Sequence, residues 1–585
     1  MWLSSSGYDR SAQISFLFKF GVLGTASSYF NSKSYKYPLT SCRFDQVLSL
    51  VCSSSLRAVT PLHSTEAKKM VPGDKIQDHL TVSEVSKICC SLTGFGILIQ
   101  FMCLLQVLEE WKRMKEIGLP ITVINLVSYI KGMTSVMCLG RLGRLELAGG
   151  ALAVGFTNVT GYSVLTGLAM GMEPMCSQAF GCRNLPMASR ILRRTILMLL
   201  LASLPISLLW INIKPIMQVA RQDPDVARIA DLYCRFALPD LLANSLLQPL
   251  RVYFRCKGTP CPLMWCISLS VFLHVPITVL LGSAIGVPGV AIATCLTNFN
   301  TLLFLLACFA CAPVTEETSV YMPIPTSVPC CSSKPSSTEW ASLIRLALPS
   351  CLSVCLEWWW YELMTVASGY LSNPHVSLAT AAIVIQTTSL MYTVPTTLST
   401  SVSARVGNEL GAGRPRGAQT SATVAIGLAF AGSCVSLLWA TMGREAWGRV
   451  FTDDKEVLRL TKAVLPVIGL CELANCPQTT GCGVLRGSAR TSVGAAINLY
   501  AFYLVGAPVA LVLAFWWNMG FVGLSLGLLA AQAACAVSVL HVIRKTDWER
   551  EASKAADLVG REAPKVAMNE EEDKIGLLKR EGLQP

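Results

Sequence analysis

The segment Leu348–Leu363, LPSCLSVCLEWWWYEL, carries two carboxyl groups inside an apolar run. The run extends from Leu343 to Leu371, and about 20 apolar residues are enough for a helix to cross the hydrocarbon core of a bilayer. An ionised side chain at mid-bilayer costs at least about 2.5–3.5 kcal/mol, so such residues are kept for function or for pairing. We therefore predict a transmembrane helix here, with Glu357 and Glu362 as candidate functional residues.

The whole chain has the composition of a membrane protein with many spans. Of its 585 residues, 52% are hydrophobic and 14% are charged, whereas soluble domains carry about 25% charged residues. Twelve apolar segments lie between Ile117 and Val542. These segments are continuous rather than alternating, so they predict helices and exclude a barrel of strands. The net charge of +12 is spread over loops and tails, which favours contact with the lipid bilayer surface over nucleic acid.

The twelve segments form one six-helix unit that occurs twice. Leu119-Pro120 opens the first segment and Leu348-Pro349 opens the seventh, 229 positions later. Three further pairs recur in the same order at offsets of 226, 229 and 234: SQAFG (177–181) with SARVG (403–407), FRCKG (254–258) with GVLRG (483–487), and GVPG (286–289) with GFVG (520–523). Because six spans are an even number, both units enter the membrane from the same side and are parallel repeats. Substrate sites in such folds lie between the repeats near mid-membrane.

The repeat predicts the domain organisation. We expect an N-terminal extension over 1–110, an N-lobe with helices 1–6 over 111–312, a cytosolic linker over 313–340, a C-lobe with helices 7–12 over 341–543 and a charged cytosolic tail over 544–585. Lys and Arg are more frequent on one side of the spans, which places both ends of the twelve-helix core in the cytosol. The serine-rich start resembles a transit peptide, although a dispensable extension is an alternative. The uncharged run 88–108 is a candidate extra span.

Further ionisable residues lie inside predicted spans. Glu472 lies in the tenth span, three residues before Asn475. Tyr361 follows Glu357 by four positions and shares its helix face, whereas Glu357 and Glu362 are about 140° apart on a straight helix. Burial favours the neutral form of a carboxyl group, so buried glutamates can bind and release protons near neutral pH. They are natural coupling sites, and structural hydrogen bonding is the alternative.

Three weaker candidates complete the predicted site. Asp240, in the fourth span, lies near the repeat position of Glu472, but Arg235 could simply neutralise it. Asn158 lies in a second span rich in glycine and hydroxyl residues, where it lines a pathway or belongs to close helix packing. Trp358 belongs to a tryptophan triplet that binds flat or cationic substrates through π contacts, or packs.

Six stretches together resemble the multidrug and toxic compound extrusion (MATE) family, and the second one resembles its plant subgroup. They are ELAGGA (146–151), GMEPMCSQAFG (171–181), LRVYFRCKG (250–258), CLEWWWYEL (355–363), VSARVGNELGAG (402–413) and VLRG (484–487). The resemblance implies two lobes in a V shape, with a cavity that opens alternately to each side. It implies efflux of organic compounds in exchange for H⁺ or Na⁺. It also implies that Glu357 and Glu472 are linked to proton coupling, with Glu362 as the second acid of the CLEWWWYEL motif.

One departure from the family bears on the coupling ion. Bacterial members carry an aspartate in the first helix, where this chain reads KGMTSVM (131–137) without an acid. Proton coupling is therefore the better prediction than sodium coupling. No other cofactor and no metal are expected, because the five histidines lack ligand spacing.

The resulting prediction is a monomeric antiporter that exports xenobiotics or secondary metabolites from the cytosol. The membrane is the plasma membrane, the vacuolar membrane or an endosome or Golgi membrane. Two alternatives stay open. A lipid-precursor flippase would need a strongly cationic cavity, where this core carries three mid-membrane glutamates. A membrane-embedded enzyme would need a nucleophile–base set or a metal cluster.

Overall fold

The computed structural model describes residues 82–219, 222–311 and 336–560. The chain divides into two units, Met1–Gln100 and Phe101–Pro585. In the first unit, the described backbone is helical and belongs to α1, Val82–Leu142. The candidate extra span 88–108 is thus helical, and whether it crosses a membrane stays a prediction. The transit-like start, most of the linker and the end of the tail lie outside the described residues.

The N-terminal half of the second unit consists of helices joined by short turns. After α1 come α2 (Arg144–Thr157), a π-helical turn (Asn158–Tyr162), α3 (Ser163–Met170), α4 (Glu173–Gly181), α5 (Leu185–Ile211), α6 (Ile213–Val219), α7 (Pro224–Lys257), α8 (Cys261–Ile285) and α9 (Val287–Cys311). The two helices α2 and α3 continue through the π-helical turn and form the second predicted span.

The C-terminal half repeats this order. It comprises α10 (Ser336–Ser368), α11 (Pro374–Met391), α12 (Thr393–Gly411), α13 (Pro415–Met442), α14 (Arg444–Phe451), α15 (Lys455–Gly487) and α16 (Thr491–Asn498). It continues with π-helical Leu499–Gly506, α17 (Ala507–Leu511), π-helical Val512–Trp516, α18 (Gly520–Arg544) and α19 (Trp548–Val559).

All regular structure in the described ranges is helical, as the apolar runs predict. Nine helical stretches there are long and apolar enough to cross a membrane. The other three of the twelve predicted spans correspond to α2–α3, α7 and α15, which carry more polar residues. These are also the helices that hold Asn158, Asp240 and Glu472. The prediction of an all-helical polytopic fold is confirmed.

The repeat is visible in the local chemistry of α7 and α15. Asp223 caps α7 and Asp454, 231 positions later, caps α15; each carboxylate accepts hydrogen bonds from two backbone amides of the first turn. Such a cap stabilises a helix by about 1 kcal/mol. Each helix also holds two internal prolines at matching positions, Pro239 and Pro249 in α7 and Pro466 and Pro477 in α15. Proline removes a backbone donor, so we expect kinks at equivalent places in both helices.

Glycine lets the two halves approach closely along α3 and α10. A β-carbon on Gly167 would lie 2.6 Å from the Cα atom of Cys351, closer than carbon atoms can approach. Gly171 faces the backbone of Ala347 in the same way. The glycines of the second predicted span at this contact thus serve close packing of helices.

Candidate functional site

A cavity of about 290 Å³ lies between the two halves. Helices α1, α3, α7 and α8 form one wall, and α10, α12, α15 and α16 form most of the other. Hydroxyl and amide side chains dominate the lining: Asn125, Ser128, Thr166, Gln248, Ser353, Thr396, Ser399, Thr400, Thr479 and Asn498. The charged lining residues are Arg251, Arg255, Glu357 and Arg486, and the aromatic ones are Trp358 and Tyr392. A concave site with many convergent polar groups suits an organic ligand.

The tryptophan triplet of α10 points in three directions, as 100° per residue requires. Trp358 lines the cavity beside Glu357. The indole of Trp359 donates to the carbonyl oxygen of Val159 at 3.1 Å, and Trp360 is buried against Phe502. Only Trp358 of the three is therefore positioned to contact a ligand in this cavity.

Glu472 lies behind the cavity wall and is 2% exposed. Asn475 donates to its Oε1 atom at 3.0 Å, and Thr479 donates to Asn475 Oδ1 at 3.2 Å. Thr479 in turn lines the cavity. One face of α15 thus connects the buried carboxyl group to the cavity through two hydrogen bonds. The second oxygen, Oε2, has no hydrogen-bond partner among the described residues.

Tyr361 lies near both predicted coupling acids. Its phenol lies within the electrostatic range of both Glu357 and Glu472, and Gln532 of α18 donates to the phenol oxygen at 3.4 Å. The Glu357 carboxylate also faces the phenol of Tyr392. The structure brings together Glu357, Tyr361, Glu472 and Asn475 in the C-terminal half.

Glu362 lies apart from this cluster. Its carboxylate is beside Gly155 of α2, at 3.7 Å from the position that a β-carbon there would take. The angle expected between Glu357 and Glu362 on one helix accounts for the separation, since α10 presents them to different neighbours.

Asp240 belongs to a separate network in the N-terminal half. Its carboxylate accepts hydrogen bonds from Tyr162 at 2.6 Å, from Asn244 at 2.9 Å and from Asn298 at 2.7 Å. Lys131 of α1 donates to the Oδ1 atom of Asn298 at 3.4 Å and attracts the Asp240 carboxylate.

Two expectations for this half change. Arg235 does not neutralise Asp240, because it pairs with Asp231 at 2.9 Å, one turn away on the exposed side of α7. Neither Asp240 nor Asn158 is among the residues that line the cavity.

The sequence interpretation missed Glu173, which is fully buried at the start of α4. Its carboxylate forms ion pairs with Arg255 of α7 at 3.7 Å and with Arg486 of α15 at 2.9 Å. The signal was available, because Glu173 is the one acid in GMEPMCSQAFG and both arginines lie in repeated motifs. The cavity is therefore more cationic than expected from three intramembrane glutamates, because two of its arginines share one carboxylate.

Near Glu173, side-chain amides also form hydrogen bonds between the two halves. Gln178 of α4 donates to the carbonyl oxygen of Gly487 at 3.2 Å. Asn408 of α12 donates to the carbonyl oxygen of Cys256 at 3.3 Å. Each half thus contacts the end of the polar helix, α7 or α15, of the other half.

Both halves of the chain match one family model. The MatE model matches residues 120–280 and again residues 349–512. These two stretches begin 229 positions apart, which is the offset of the Leu-Pro landmarks. The chain belongs to the MATE family. The resemblance read from the six motifs is confirmed.

Plant proteins are among the relatives of this MATE protein. It is 60% identical to Protein DETOXIFICATION 55 of Arabidopsis thaliana over 462 residues, 78% of this chain and 92% of the relative. It is 48% identical to Protein DETOXIFICATION 51 of the same plant over 455 residues, 77% of this chain and 84% of the relative.

Solved MATE structures share the fold. The crystal structure of the eukaryotic MATE transporter AtDTX14 matches with a TM-score of 0.71 at 30% identity, covering 78% of this chain and all of that one. An outward-facing multidrug resistance MATE transporter matches with a TM-score of 0.67 at 14% identity, over 77% of this chain and 97% of that one. This MATE protein is a multi-pass membrane efflux transporter rather than an enzyme.

Proposed function

We propose that this MATE protein exports organic compounds from the cytosol in exchange for protons, with Glu357 and Glu472 as the coupling pair. The observation that carries the proposal is their shared environment. Glu357 lies on the cavity wall, Glu472 is buried behind it, and Tyr361 lies within electrostatic range of both.

Protonation changes the free energy of this cluster because it removes a buried charge. An ionised Glu472 leaves one carboxylate oxygen without a hydrogen-bond partner among the described residues, and such a group is costly to bury. Protonation of either acid also changes the electrostatic interaction of that acid with Tyr361 on α10. Since α10 supplies Ser353, Glu357 and Trp358 to the cavity wall, its movement changes the ligand site. Proton and substrate then favour different conformations of the C-terminal half.

The surroundings of Asp240 support protons over sodium as the coupling ion. Its carboxylate already accepts three hydrogen bonds. The Lys131 ammonium group lies close enough to attract it and would repel a second cation. The coupling step is therefore assigned to the C-terminal half.

We also propose that the ends of the core face the cytosol and that a single chain is sufficient for transport. The loops with the larger number of Lys and Arg lie at the end where the halves are joined by Glu173, Gln178 and Asn408. The proposed membranes are the plasma membrane, the vacuolar membrane and endosome or Golgi membranes. A fluorescent tag at the C-terminus, quenched only by cytosolic acidification, tests the orientation.

The coupling proposal is tested in proteoliposomes with an imposed pH gradient. Labelled tetraethylammonium and labelled p-aminohippurate serve as cationic and anionic probes. We expect Glu357→Gln and Glu472→Gln each to reduce gradient-driven transport about tenfold or more, because neither glutamine can bind the proton. Glu445→Gln, on exposed α14, is the matched control and should transport like the native chain. Gradient-driven transport that survives in the double variant E357Q/E472Q contradicts the proposal.

A further inference from the structure

The charges on the cavity wall do not cancel. Arg255 and Arg486 share the Glu173 carboxylate. Arg251 and Glu357 are the other charged residues among those that line the cavity. Arg251 is on the N-terminal half and Glu357 is on the opposite wall, so the cavity presents one separate cation to a ligand.

Arg251 has no ion pair within the described part of the chain, and its Nε atom is buried without a hydrogen-bond partner there. Asp240, three turns earlier on α7, attracts Arg251 without a direct ion pair, since Tyr162, Asn244 and Asn298 occupy the oxygens of that carboxylate. A buried donor atom without an acceptor is unfavourable. The guanidinium group also stays charged at every physiological pH.

We infer that the substrate is an organic anion and that Arg251 binds its carboxylate. This inference rests on the proposed transport function and names its substrate class. The planar fork of donors on an arginine matches a carboxylate with two parallel hydrogen bonds. Trp358 supplies an aromatic surface for the body of the ligand, and Gln248 and Ser128 supply neighbouring hydrogen-bonding groups. Arg251 thus binds the carboxylate of the ligand, while the aromatic and polar residues of the wall contact the rest of it.

An anionic substrate also changes what drives export. Outward movement of a negative charge is favoured by an interior-negative membrane potential. In this arrangement, the anion and the proton bind to different side chains and so do not compete for the same group. They act through different conformations, with Arg251 holding the anion on the N-terminal half and Glu472 binding the proton in the C-terminal half.

The test compares three variants of the full chain in proteoliposomes with labelled p-aminohippurate. The native chain should transport this carboxylate saturably, and Arg251→Gln should raise its KM about 10- to 100-fold, the effect of losing a charged hydrogen bond. Arg251→Lys keeps the charge but loses the fork, so its KM should lie between the two. Arg235→Gln, an exposed arginine of the same helix, is the matched control and should leave KM unchanged.

Unaltered elution and melting temperature of R251Q establish that the variant is folded. The inference is overturned if the native chain shows no saturable p-aminohippurate transport, or if R251Q retains the native KM. Tetraethylammonium transport driven by a pH gradient without anion transport overturns the inference and leaves proton coupling intact. Anion transport that depends on Arg251 but ignores the pH gradient contradicts proton coupling and supports the inference.

Discussion

Glu110 and Glu339 are 229 positions apart in the sequence, and each binds arginine in the opposite half of the protein. Glu110 of α1 accepts two hydrogen bonds from Arg405 of α12, both at 2.8 Å. Glu339 of α10 pairs with Arg190 at 3.2 Å and also with Arg194, both on α5. The first helix of each half is therefore anchored to the other half by equivalent acids.

The Glu110 anchor predicts a large loss of stability when its charge is removed. In Glu110→Gln, Arg405 loses a carboxylate that binds it through two atoms but keeps its ion pair with Glu409, so we expect a loss of about 1–3 kcal/mol. Thermal unfolding in detergent measures the effect. The control is Glu109→Gln, whose exposed pair with Arg113 should contribute less than about 1 kcal/mol. Equal melting temperatures for the two variants would contradict the prediction.

Glu173→Gln should loosen the contact between the halves. It leaves Arg255 and Arg486 close together without their shared counter-ion, so the ends of α7 and α15 repel each other. We expect Cys256, which is fully buried beside the backbone of Glu173, to react several times faster with N-ethylmaleimide. Mass spectrometry of the labelled peptides measures this rate, with exposed Cys434 as the internal reference. An unchanged rate at Cys256 would show that the ion pairs do not hold this end closed.

The contact between α3 and α10 predicts that even one methyl group at Gly167 is not tolerated. The new β-carbon of Gly167→Ala would overlap the backbone at Cys351, and overpacking of this kind costs about 1–3 kcal/mol. Gly427→Ala is the control, because a β-carbon there meets no atom within 4 Å. It should leave stability unchanged or raise it by up to about 1 kcal/mol. Melting temperatures of the two purified variants decide between these outcomes.

Asn475→Leu should slow proton-coupled transport while the protein remains folded. The substitution removes the donor to Glu472 and the acceptor for Thr479, and so interrupts the hydrogen bonds between the buried carboxyl group and the cavity. We expect transport driven by a pH gradient to fall about tenfold. Asn212→Leu, at the exposed end of α5, is the control and should keep native transport. If the two variants are equally active, the chain of hydrogen bonds along α15 has no part in coupling.

The sequence predicts the positions of the buried acids better than it predicts the residues with which they pair. Periodicity separates Glu357 from Glu362 and places Tyr361 on the face of Glu357, because these relations lie within one helix. It cannot find the pairing of Glu173 with Arg486, which depends on contact between helices 313 positions apart. For the same reason Arg235 looked like a partner of Asp240, although Asp231 lies nearer on the helix surface.

Arg251 shows a second limit of reasoning from the sequence. In LRVYFRCKG it is one of several basic residues at the end of a span, where arginines commonly extend to the lipid surface. Only the three-dimensional arrangement of the helices shows that it lines the cavity. The acids of the C-terminal half were found because a charge inside an apolar run is conspicuous; this arginine was not, because its surroundings in the sequence are already polar.

The polarity of α7 has a consequence for how the protein is made. This helix is not among the described stretches that are apolar enough to cross a membrane alone, and its Asp240 would be expensive to expose to lipid. One of the groups that satisfy this carboxylate, Asn298, is synthesised 58 residues later. We therefore expect insertion of α7 by the translocon to be cooperative, because the hydrogen bonds of its carboxylate are complete only once α9 has been made and has packed against it.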